Sequence, residues 1–171
     1  MEQMFVYTLL GAALTAAAVG FGRLFACRQV QGPIRTYPYQ LPGPDFSETA
    51  GFRVVQLPSD TIIALESSWA LDSRVGELRF IIEPEWPATL RIGRSGTDLG
   101  LGEYSAVYDI SSNLTFEGIT VLLQQTAGGE SLAQWSREGY DYALHFQEGE
   151  ITLAGGVVDD FVAEIVAETA V

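Results

Sequence analysis

The chain has 171 residues, room for one domain of ordinary size with a tail. Apolar residues make up 47% and charged residues 18%, which excludes a disordered or collagen-like chain. Nine arginines and no lysine stand against 22 acidic residues, a formal charge of −13 that argues against nucleic acid, while the single cysteine excludes an intrachain disulfide framework and any multi-cysteine metal site.

The charge is divided along the chain. Residues 1–40 hold Arg23, Arg28 and Arg35 against Glu2, a net +2; residues 41–171 hold six arginines and 21 acids, a net −15. From Met4 to Gly22 run nineteen residues without a charge. As a helix they would span roughly 28 Å at about 1.5 Å per residue, close to the ~30 Å of bilayer hydrocarbon. Apolar groups ring this helix with no polar stripe, and an acidic domain of this size would struggle to wrap it on every side. A transmembrane helix or signal anchor is therefore expected within residues 1–26, attaching the chain to a membrane.

Leu24-Phe25-Ala26-Cys27 resembles a bacterial lipobox, which makes Cys27 a candidate lipidation site; the alternative is an ordinary juxtamembrane thiol. Ala12, Ala16 and Gly20, spaced by four, would let two such helices pack closely into a homo-oligomer. The arginines flank the C-terminal end of the run, which by the positive-inside rule would keep the following domain in the cytoplasm. Residues 27–50 come next as a Pro-rich linker. Gly32–Pro44 carries four prolines in thirteen residues, which favours extended chain over helix.

Residues 51–171 are expected to form the globular domain. Leu78, Phe80 and Ile82 alternate with Glu77, Arg79 and Ile81, predicting a strand with one buried face. The Pro84–Pro87 turn ends it, and Leu90 and Ile92 belong to a second. Tyr104, Ala106, Tyr108 and Ile110 suggest a third, and Ile119, Val121 and Leu123 a fourth. Leu132–Arg137 and Tyr140–Gln147 follow, separated by a Glu138-Gly139 turn. Short turns between neighbours imply an antiparallel meander. Near the end the period changes. Val157, Phe161 and Ile165, with Val158, Val162 and Val166 beside them, predict an amphipathic helix that starts at Gly155-Gly156 and covers the sheet. The expected class is α+β, an antiparallel meander sheet covered by a C-terminal amphipathic helix and preceded by one N-terminal transmembrane helix.

Gly118-Ile119-Thr120-Val121, then Ala133-Gln134-Trp135, then Gly139-Tyr140-Asp141-Tyr142 occur in that order. This succession resembles the bacterial family called domain of unknown function 4367, in which such strands precede a C-terminal helix. The resemblance extends over about residues 75–168, with its specific part at 118–146. It implies an extracytoplasmic domain, often tethered by one transmembrane helix and sometimes attached to anti-sigma-factor-type proteins. It also implies a sheet and helix similar to the lipoprotein-carrier fold, which can hold an acyl chain. The family has no assigned catalytic residues, so none carry over. The chain departs from the pattern at Gly155-Gly156, where members tend to have a polar helix start, and a sigma-binding domain is not recognisable.

A search for chemistry finds little. His145 is the only histidine and lies on the polar face of its strand, where solvation is the simple expectation. One His and one Cys exclude a structural zinc site in a monomer, and the glycines of 93–102 lack the spacing of a phosphate-binding loop. Glu148/Glu150 and Asp159/Asp160 are the close acidic pairs, and neither follows the calcium-loop pattern. No cofactor is expected. Trp135, Tyr140 and Tyr142 are either a ligand-binding surface or the core beneath the helix. Trp86, between two prolines, is the aromatic expected to be exposed, as a contact for a partner or as a plug on the sheet edge. The expected function is that of a membrane-anchored protein with a non-catalytic extracytoplasmic domain binding a protein, lipid or envelope component. The alternatives are a surface hydrolase using a carboxylate pair and a membrane-tethered module facing the cytoplasm.

Overall fold

The computed structural model describes residues 37–104, 107–147 and 151–170, all within one unit spanning Thr36–Val171. Four strands open the chain order: β1 (Tyr39–Leu41), β2 (Asp45–Phe46), β3 (Phe52–Gln56) and β4 (Ile62–Ala70). The hairpin of β5 (Val75–Ile82) and β6 (Trp86–Arg94) follows, then β7 (Ile110–Phe116), β8 (Ile119–Gln125), β9 (Glu130–Arg137) and β10 (Tyr140–Gln147). A single described helix, α1 (Ile151–Glu164), leads into β11 (Val166–Thr169). Every strand pair is antiparallel, because turns too short for a crossover join most neighbours.

Eight strands form the main sheet in the order β1-β4-β5-β6-β10-β9-β8-β7, and β11-β3-β2 form a second. The main sheet is two meanders rather than one. β4-β5-β6 and β7-β8-β9-β10 are joined where β10 pairs with β6, so the segment from Ser95 to Asp109 has to cross the sheet to reach its far edge. Two hairpins are closed by two-residue turns, Glu117-Gly118 (φ 49° and 83°) and Glu138-Gly139 (φ 52° and 82°). Positive φ at both positions matches the strand twist, and glycine takes the second at no steric cost.

Alternation sorts side chains onto two faces. The inner face carries Leu78, Phe80 and Ile82, Leu90 and Ile92, and Leu144 and Phe146, all buried. Against it lie Ala154, Val158, Phe161 and Val162 of α1, spaced as one helical stripe, with Phe80 and Phe161 stacked at 5.4 Å. The second sheet adds Phe46 and Phe52, in contact at 5.2 Å, and Phe52 meets Tyr140 edge-on at 5.5 Å. Full burial of each such ring contributes roughly 1.5–3 kcal/mol. Phe46 has a specific seat: a Cβ on Gly76 would lie 2.8 Å from three atoms of its ring, so the ring is laid flat on glycine backbone. Residues 39–46, read from sequence as the end of a linker, thus contribute two strands and a core side chain.

The helix starts earlier than Gly155-Gly156, which lie inside it, and it ends at Glu164. Val166, expected on the helix, instead belongs to β11, which pairs with β3. Pairing with a strand far away in sequence overrides a helical period that runs on past the helix end. The expected strand through Tyr104 and Tyr108 is likewise replaced by β7, which begins at Ile110. Tyr104 ends a short 3-10 turn, Leu101–Glu103, in the crossing segment. The segment 1–26, with its expected membrane helix and Cys27 beyond it, lies outside the described residues. Among the described residues no helix is long and apolar enough to cross a membrane.

Candidate functional site

Polar side chains gather on the outer face of the main sheet, the face turned away from α1. Glu77 of β5 and Arg91 of β6 are direct register partners, and they are 1% and 4% exposed. The Arg91 guanidinium donates to Glu77 Oε2 through Nε at 2.9 Å and Nη2 at 2.8 Å. Its Nη1 donates to the carbonyls of Leu99 and Gly100, and Nη2 pairs with Glu103. Arg79 engages the other Glu77 oxygen at 2.7 Å. The buried charge is therefore matched, and Arg91 straps the crossing segment to the sheet.

Tyr104 completes the strap. Its ring lies 4.9 Å under the Arg91 guanidinium and stacks on His145 at 4.3 Å. Burial pushes the Tyr104 phenol above its usual value, although the Arg91 charge works the other way. His145, expected to be solvated, accordingly has one ring face covered, and its Nε2 meets Glu130 Oε1 at 2.7 Å. Below the strap Val75, Leu99, Leu132 and Ala143 form a small second core. An open cleft of about 380 Å³ borders the network, reaching Glu77, Arg91, Glu103 and His145. Farther along the same face, Asp141 gathers donors from Ser136 (2.6 Å), the Gly96 amide (2.7 Å) and Ser95 (3.1 Å). Burial acts to raise its carboxyl, but these donors outweigh it and hold the group below the ordinary carboxylate range.

A different cavity, of about 580 Å³, opens at the turn between β5 and β6. Trp86, Pro84 and Val157 supply its apolar walls, and Asp60, Glu83 and Asp160 supply carboxylates. The Thr61 hydroxyl donates to Asp160, and the Glu83 amide donates to the Thr61 carbonyl at 3.0 Å, so the β3–β4 loop, the turn and α1 meet here. Glu85, in the turn, holds φ at 135°, a conformation that L side chains rarely adopt and that costs on the order of 1–3 kcal/mol.

The aromatic residues singled out from sequence separate. Trp135, Tyr140 and Tyr142 are all buried on the inner face, Trp135 and Tyr142 stacked at 5.2 Å. Tyr140 bonds Thr169 Oγ1 at 2.9 Å, and burial, reinforced by Glu138, pushes the Tyr142 phenol up to about 12. Trp135 and Tyr142 also border an outer-face cavity of about 800 Å³, but strand alternation turns their side chains to the other side. Trp135 Nε1 is buried without a hydrogen-bond partner. Trp86 alone of the four is partly exposed and stands at a cavity mouth.

The Glu77–Arg91 pair was missed, although a signal existed: counting back from the Pro84–Pro87 turn puts the two opposite each other. Asp60, Glu83 and Asp160 come from three elements and leave no local signature. No protein-family model matches the chain, and neither a curated protein nor a solved structure matches it.

Proposed function

We propose that the chain is a membrane-anchored protein whose acidic domain is a non-catalytic binding module, held outside the cytoplasm by the uncharged stretch 4–22. The observation that carries the binding role is the Trp86 cavity, where an aromatic side chain stays partly exposed above apolar walls while the other singled-out aromatics are buried. The outer-face network supports the non-catalytic part. Both Glu77 oxygens are held by arginines, Oε1 by Arg79 and Oε2 by Arg91, and the carboxylate is buried, so it is engaged in the ion pair rather than free to act on a substrate. The resemblance of residues 118–146 to a family of extracytoplasmic domains supports the location.

Protease treatment of intact bacterial cells expressing the full chain tests this reading. Digestion of the domain, with the N-terminal fragment retained in the membrane fraction, is the expected result. Protection of the domain in intact cells, with digestion after lysis, would place it in the cytoplasm and overturn the location.

A further inference from the structure

We infer that the Trp86 cavity binds the cationic head of a basic side chain, an arginine guanidinium or lysine ammonium presented by a protein partner; the inference rests on the binding role proposed above and names its ligand chemistry. Charge is the first argument. Asp60, Glu83 and Asp160 bring three carboxylates to one cavity, and the cations of the domain are spent elsewhere. Arg53 pairs with Glu168, Arg74 with Asp72, Arg79 and Arg91 with Glu77, and Arg137 with Glu138, while Arg94 donates to the Gly51 carbonyl. The three carboxylates are exposed, and among the described residues none of them pairs with a basic side chain, so they are open to a cation from outside the domain.

Shape and lining then choose between a bare ion and an organic cation. Among the described residues no three His, Cys, Asp or Glu side chains converge closely enough to hold a metal ion. The carboxylates stand apart around a cavity of about 580 Å³, whose walls include Trp86, Pro84 and Val157. An indole face attracts a cation most strongly of the aromatic side chains, and apolar walls suit the methylene stem that carries it. A basic side chain has both parts: a charged head for the carboxylates and an apolar body for the walls. The net charge of −15 on residues 41–171 would further draw in a basic partner surface.

The test uses the ¹⁵N indole signals of the full-length chain in a zwitterionic detergent. There are three tryptophans, and Trp86→Phe identifies the signal of interest. N-acetylarginine amide is expected to shift the Trp86 signal saturably while leaving those of Trp69 and Trp135 in place. The combined variant Asp60→Asn, Glu83→Gln, Asp160→Asn should weaken that binding by roughly tenfold. Gly156→Arg, at a cavity-lining helix position where an added Cβ meets nothing within 4 Å, should block it with a tethered guanidinium. Equal binding of neutral 1-butanol, or no saturable shift at Trp86, would overturn the cation assignment. Spermidine binding more than about tenfold tighter than the arginine probe would overturn the protein source in favour of a free polyamine. None of these results bears on protease access or membrane retention, so failure here leaves the proposed anchoring and location to their own test.

Discussion

A guanidinium that is 4% exposed, as in Arg91, is tolerated because each of its faces is engaged: Glu77 on one side, strap carbonyls and Glu103 on another, and the Tyr104 ring against its plane. Removing Arg91 leaves the buried Glu77 carboxylate with only the half-exposed Arg79 to match it. Arg91→Met should therefore cost about 3–5 kcal/mol in urea unfolding, and Glu77→Leu combined with Arg91→Met should recover much of it. A sum of the two single losses in the double variant would show that the pair is not coupled. Tyr142 makes a prediction of the opposite kind, about pH. Its phenol is raised to about 12 in the fold, so the folded chain keeps a proton that the unfolded chain releases near 10. Stability is then complete below pH 10 and falls as pH rises toward 12, by roughly 1.4 kcal/mol per unit. Tyr142→Phe should flatten that alkaline loss in a thermal-melt series.

At the scale of elements, two glycines separate close packing from idle flexibility. Gly76→Ala in β5 drives a methyl into the Phe46 ring and should destabilise the domain by about 1–3 kcal/mol. Gly155→Ala in α1 meets nothing within 4 Å and should stabilise it by about 0.5–1 kcal/mol, since glycine is a poor helix former. Chemical denaturation of both variants checks the two signs together. The strands with bulky alternation, β5, β8 and β10, were legible in the sequence because their period and their burial coincide. β7 was not: Ile110–Phe116 carries three polar residues in a row, Ser111-Ser112-Asn113, while Tyr104 and Tyr108 just before it show the stronger alternation. Those tyrosines serve the strap instead, Tyr108 donating its hydroxyl to the Tyr104 carbonyl at 3.1 Å. The helix end was misplaced for a related reason, because Val166 fits a helical stripe and a β ladder equally well. Trp86 was legible as the most exposed of the four aromatics singled out, although it too packs against the edge of the core. Its carboxylate companions depend on three elements meeting, which no local pattern encodes.

For the whole molecule, the division of charge and hydropathy sets the main expectation. A charge placed within the uncharged stretch, Ala13→Arg, should raise the cost of insertion by about 2.5–3.5 kcal/mol and shift the chain toward the soluble fraction on alkaline extraction of membranes. Unchanged retention would mean that something other than this stretch holds the chain. The manner in which the domain receives its N-terminal segment has a mechanical side as well. Tension arriving along the backbone from residue 36 meets β1 first, an edge strand of three residues that can be peeled from β4 with little resistance. The next obstacle is Phe46, clamped onto Gly76, and there the tug passes from an unzipping edge to the close-packed interior. A domain attached in this way has a built-in slack of a few residues before its fold feels any pull.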